Sequence, residues 1–292
     1  MRSYQFSLLK ALVCVSVMLL TGVSCEKMNV GETVDGSQAN VVLRIGSIEQ
    51  IPFHAATRSG VLRDVCTKVN FLVYQGGERI RQENQTADDA DFGQLQIRLS
   101  EGRYYLVVLA HSSDGNPTST NAQKIGFTNS TGFTDTFLYA DSLIVEDEDV
   151  DRTLALKRIT AMVRFIPSDE IPELAERIRF YYTGGSGTFN ATSDGWGVVN
   201  SKQSQWYDLT HQEEKFEIYT IPHGDSDELN TIITTYKGAN DEIETERKVD
   251  GIPVLRNHIT ICRGYLFSPV STMNIQITID DRWEQDTISF PF

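Results

Sequence analysis

Cys25 stands directly behind four small or short residues, Thr21-Gly22-Val23-Ser24, and that spacing suits one reaction. A thiol in this position can take a diacylglyceryl group, and small neighbours let a peptidase reach the bond before it. Leucine is missing from its usual place three residues upstream, where Gly22 stands. Further back, Arg2 and Lys10 supply positive charge and Ala11 to Leu20 an apolar run, the layout of a secretory leader. The run is too short for a membrane-spanning helix, which needs about 20 apolar residues. Residues 1–24 are therefore expected to be a lipoprotein signal peptide and Cys25 the lipidated first residue of the mature chain. Each buried CH₂ adds about 0.8 kcal/mol, so several acyl chains on one cysteine would hold the protein at an outer membrane, exposed at the surface.

Other groupings of reactive residues are weaker. Asp147, Asp149 and Asp151 copy the opening of a calcium loop, but Arg152 stands where glycine must turn and Arg158 where a glutamate must ligate. Thr183-Gly184-Gly185-Ser186-Gly187 lacks the Gly-Lys-Ser/Thr of a phosphate loop and reads as a turn. There is no Gly-x-Ser-x-Gly elbow and no His-Glu-x-x-His. His54, His111, His211, His223 and His258 are scattered singly, so no metal site is expected. The chain reads as a non-enzyme without a cofactor. Trp196, Trp206 and Trp283 could form a sugar-stacking platform, which keeps a glycan-binding surface lipoprotein open as an alternative. Cys66 and Cys262 could form a disulfide after export or stay as free, buried thiols.

The 292 residues carry 40 acidic and 26 basic side chains, a formal charge of −14. Phosphate backbones would repel such a chain, so nucleic acid is not an expected partner.

The elements that must position these residues are strands. Residues 25–39 are poor in apolar side chains and read as a flexible tether. Beyond them period two dominates: Val41, Leu43, Ile45; Val69, Phe71, Val73; Leu95, Ile97, Leu99; then Tyr104 to Ala110. Gly76-Gly77 and Asp114-Gly115-Asn116-Pro117 punctuate them as turns. A second series runs from near Leu154 through Val163, Phe180, Ile218, Ile232 and Ile261 to Ile275, Ile277 and Ile279. The reading is an all-β chain of two tandem Greek-key sandwiches, residues 40–153 and 154–292. Ser168 to Arg177 predicts one short helix or turn, and Met273 to Phe290 a closing hairpin.

Lys68-Val69-Asn70-Phe71-Leu72-Val73-Tyr74, Glu101 to His111 and Ala161-Met162-Val163-Arg164-Phe165 together resemble the FimB-type anchor and minor fimbrial subunits of the Bacteroidetes. The resemblance rests on order and spacing across most of the mature chain. It implies two transthyretin-like β-sandwich domains, a lipid-anchored N-terminus, and anchoring, initiating or capping of a surface fimbria with other fimbrial subunits as partners. It also implies strand exchange, in which cleavage after an arginine frees a first strand and a neighbour's strand takes its place. Here the candidate first strand holds Val41, Leu43 and Ile45, and the cleavage bond would be Arg58-Ser59. An ordinary loop arginine is the other reading of Arg58. Ile275, Ile277 and Ile279 mark the candidate donor strand. An anchor would stay uncut, whereas a polymerising subunit would lose everything before Ser59.

Overall fold

The structure, a computed structural model, describes residues 39–48, 62–210, 212–238, 240–268, 275–280 and 288–289. In chain order the first nine strands are β1 (Val41–Ile48), β2 (Lys68–Gln75), β3 (Glu78–Thr86), β4 (Gln94–Ile97), β5 (Gly102–His111), β6 (Thr118–Asn121), β7 (Lys124–Gly126), β8 (Thr136–Val145) and β9 (Val150–Arg158). Gly76 and Gly77 both take positive φ, +62° and +90°, which lets the β2–β3 hairpin turn with the twist of its strands. β1 lies between β4 and β9; β5 lies between β2 and β8, with β3 outside β2. Strands β8 and β9 pair only at Phe137↔Arg158 and Leu138↔Lys157. Beyond that corner the two strands diverge, and the halves close over one core that takes Leu43, Phe71, Leu106, Leu143 and Leu154.

The chain then builds the same arrangement again. The later strands are β10 (Ala161–Pro167), β11 (Ala175–Thr183), β12 (Thr188–Asn190), β13 (Trp196–Gly197), β14 (Gln203–Asp208), β15 (Phe216–Thr220), β16 (Asp227–Lys237), β17 (Glu242–Val254), β18 (Ile259–Gly264), β19 (Gln276–Asp280) and β20 (Ile288–Ser289). β10 is antiparallel to β15 and parallel to β18, as β1 is antiparallel to β4 and parallel to β9. β11 sits between β14 and β16, and β16 carries β17, as β2 sits between β3 and β5 and β5 carries β8. The fold is two tandem β-sandwiches of one topology. Phe165, Phe180, Phe216 and Ile233 fill the second core. β9 runs unbroken through Thr153 and Leu154, and the passage to the second core falls at Ile159 and Thr160.

Insertions at different places in the repeat weld the halves. β6 and β7 leave the first sandwich, β12 and β13 the second, and β7 pairs with β12 through Ile125↔Phe189 and Gly126↔Thr188. The resulting sheet covers the outer face of β2 and β5, burying Leu72, Tyr74, Val107 and Leu109. This explains why those two strands read as unbroken apolar runs: both faces are covered.

Of the helix or turn expected from Ser168 to Arg177, the turn is found: it leads into β11, and Asp169 accepts hydrogen bonds from the backbone N–H groups of Leu266, Phe267 and Ser268. A carboxylate satisfied by a distant loop gives no cap to a helix start. Among the described residues the expected closing hairpin is not formed: β19 pairs with β18, whereas β20 pairs with the end of β1 through Ser47↔Ser289 and Ile48↔Ile288.

Candidate functional site: the first strand and its edges

β1 is held on both flanks and on its inner face. Val41, Leu43, Ile45 and Ile48 are 0, 0, 2 and 0% exposed. Ile48 is inward only because the pairing with β9 slips between Ile45 and Ser47, where Gly46 is the extra residue. Strict alternation from Val41 would have turned Ile48 outward, which is why the sequence pattern stopped at Ile45. Asn40 fixes the strand's start: its side chain donates to the Leu99 carbonyl at 2.8 Å and accepts from the Leu99 N–H at 2.9 Å. Arg44, on the outer face, pairs with Asp151 of β9.

The antiparallel flank of β1 is shared in sequence, β4 taking Val41 to Arg44 and β20 taking Ser47 and Ile48. The C-terminal end of the chain thus already adds a strand to the first sandwich, at the place where β4 stops.

Cys25, Arg58 and Ser59 lie outside the described residues, as does Trp283. Ile275 and Ile277 are half-buried against the second core, and Ile279 is 42% exposed on β19. Trp196 is half-buried under the Arg256 guanidinium, 3.3 Å from its ring centre. Trp206 is 41% exposed, stacks on Tyr236 and packs against Arg177 and Arg179. Among the described residues, then, the tryptophans stand apart, Trp196 on β13 and Trp206 on β14.

Cys66 and Cys262 are both buried and free, one in each core, so they form no disulfide. Burial pushes both thiols up, Cys262 to about 12. His111 is buried and its ring nitrogens are both used: Nε2 donates to Asn70 Oδ1 at 2.9 Å and Nδ1 accepts from the Ser113 N–H at 3.2 Å. Burial, with nearby Lys68, lowers its pKa to about 3. The glycine run is a close crossing. A Cβ on Gly184 would lie 1.9 Å from the Glu228 carbonyl oxygen, and one on Gly185 2.0 Å from Thr220 Oγ1. Among the described residues no three His, Cys, Asp or Glu side chains converge as a metal would require, and no helix is long and apolar enough to cross a membrane.

Residues 37–290 match the model of a family of unknown function, DUF6562. The chain belongs to that family. No curated protein matches this DUF6562 chain. Among solved structures it is similar to a DUF1812 protein of Bacteroides thetaiotaomicron, at 10% identity and a TM-score of 0.49, over 84% of this chain and 97% of that one. It is also similar to a fimbrial assembly protein of Parabacteroides distasonis, at 15% identity and a TM-score of 0.39, over 82% and 97%. The fimbrial anchor protein Mfa2 of Porphyromonas gingivalis is 10% identical with a TM-score of 0.41, over 84% and 98%.

Proposed function

We propose that this chain is a lipid-anchored fimbrial subunit that anchors, initiates or caps a surface fimbria by exchanging strands with its neighbours. The observation that carries this reading is β1. Its four inward side chains are wholly buried, and each such side chain is worth about 1.5–3 kcal/mol, roughly 6–12 kcal/mol together. That sum is comparable to the whole stability of an ordinary domain. A first sandwich without β1 must take up another strand or come apart.

Position in the repeat supports β1 as the strand that leaves. β1 and β10 occupy equivalent places, each with a strand on either side, but β10 is joined in the chain to β9 before it and β11 after it. One cut between Ile48 and Leu62, the stretch that contains Arg58-Ser59, would free β1 with everything before it. If the cut does not occur, lipid on Cys25 holds the folded body to the outer membrane and the chain serves as an anchor. Ile275, Ile277 and Ile279 are the proposed donor residues, because β19 is an edge strand and can leave β18 without opening a sheet.

The test is direct. Residues 59–292 are refolded alone and with synthetic peptides spanning 39–48 or 274–281. Both peptides should restore the melting transition of the first sandwich beside that of the second and co-elute with the body. A body whose first sandwich melts cooperatively without a peptide, or that ignores both, contradicts exchange.

A further inference from the structure

Among the described residues β19 has no counterpart in the first sandwich. In the second, β18 lies between β10 and β19, so its side away from β10 is covered by Gln276–Asp280. In the first, β9 takes the place of β18, and its side away from β1 meets β8 only at Phe137↔Arg158 and Leu138↔Lys157. The register marks the difference. Phe165 of β10 stands opposite Cys262 of β18, and Cys262 opposite Ile277 of β19. Ile45 of β1 stands opposite Leu154 of β9, and among the described residues no third strand completes that row.

The place is hollow as well as unpaired. Where β8 and β9 diverge there is a cleft of about 460 Å³. Leu138, Tyr139, Ala140, Ala155 and Ile159 give it an apolar lining, and its two acidic and two basic side chains balance. The β8 edge is the less available of the two, because the Arg152 guanidinium donates to the Ser142 carbonyl at 2.8 Å. The β9 edge therefore offers backbone groups, and the cleft beside it has room for side chains. Strand addition needs both: ladder bonds from an edge give affinity, and pockets for alternate side chains give specificity.

We propose that the β9 edge accepts a strand, and that the strand is β19 of a second copy, running antiparallel to β9 with its Ile277 opposite Leu154. β19 is the occupant because it fills the equivalent place on β18. There Ile275 and Ile277 pack on the second core, and polar Gln276 and Thr278 alternate with them. The inference rests on the donor role proposed above for β19, and it adds an acceptor that does not require β1 to leave. An uncut chain held by its lipid can then still be joined to a neighbour.

The test uses the full mature chain carrying Val42→Cys and Gln96→Cys, residues directly opposed on β1 and β4, so that a disulfide holds β1 in place. A labelled 274–281 peptide should bind this locked chain saturably below about 1 mM, one per chain. The same peptide with Ile275→Lys and Ile277→Lys should not bind. Ala155→Trp, which fills the cleft from a half-buried position, should weaken binding at least about ten-fold, with a thermal melt to show that the variant folds. A peptide that binds residues 59–292 but not the locked chain overturns this acceptor and leaves exchange at β1 standing; one that binds neither overturns the donor role of β19 itself. Binding that Ala155→Trp leaves intact puts the peptide on another edge, such as β18, and overturns the proposal. So does a locked chain that takes a 26–38 peptide in place of 274–281.

Discussion

Arg158 and Asp135 meet as a two-pronged ion pair, Nε to Oδ1 at 2.7 Å and Nη2 to Oδ2 at 2.9 Å, with the arginine wholly buried. Arg158 ends β9, its third nitrogen bonds Asn257 of the second half, and its guanidinium lies 5.0 Å from the centre of the Phe137 ring. The pair therefore sits where the chain passes between sandwiches, and it ties both to the corner at which β8 meets β9.

Removing one partner strands the other. Arg158→Ala should cost about 3–5 kcal/mol in urea unfolding, because Asp135 would keep its burial and lose its cation. Replacing both, as Arg158→Met with Asp135→Asn, should recover most of that loss. A double variant as weak as Arg158→Ala would show that the pair is not the unit.

The first strand gives a graded test. Leu43→Ala should destabilise by about 2–5 kcal/mol, the range for a leucine deleted from a packed core. Ile279→Thr, on the outer edge, should change stability by no more than about 0.5 kcal/mol. Equal losses from the two would remove the reason for singling out β1.

His111 predicts a pH dependence. Its folded pKa, about 3, lies below the ordinary 6.5, so between those values the unfolded chain binds a proton that the folded chain does not. Stability contributed by the neutral ring is complete above about pH 6.5 and falls with pH by about 1.4 kcal/mol per unit through that window. His111→Gln should flatten this part of the urea-midpoint profile between pH 7 and 4. An unchanged slope would contradict it.

Both cysteines should be silent in the folded protein. Cys66 and Cys262 should resist iodoacetamide until denaturant is added and then react as two thiols, with no mass change on reduction alone. Reaction at the native rate of a free thiol would place one of them at the surface.

Much of the fold was legible because alternation survives wherever one face is covered and the other wet: Val41, Leu43 and Ile45, or Ile178, Phe180 and Tyr182, point straight to their cores. The welding sheet was not. β7 and β12 are three residues each, and only Ile125 and Phe189 are strongly apolar in them, too short a stretch for a period to emerge. In sequence Arg158 only breaks a calcium-loop pattern, because burial of a charge depends on Asp135 and Asn257, far away in sequence. Ser168-Asp169-Glu170 has the composition of a helix start, and tertiary contact with Leu266 to Ser268 overrides it.

The most direct measurement is the N-terminus and mass of the protein purified from its own cells. The account predicts a membrane-bound chain that begins either at a lipidated Cys25 and runs intact, or at Ser59 within an assembled fibre. The first outcome makes it an anchor and the second a polymerising subunit. A chain recovered free of membrane and fibre, with an unmodified N-terminus elsewhere, would contradict the account.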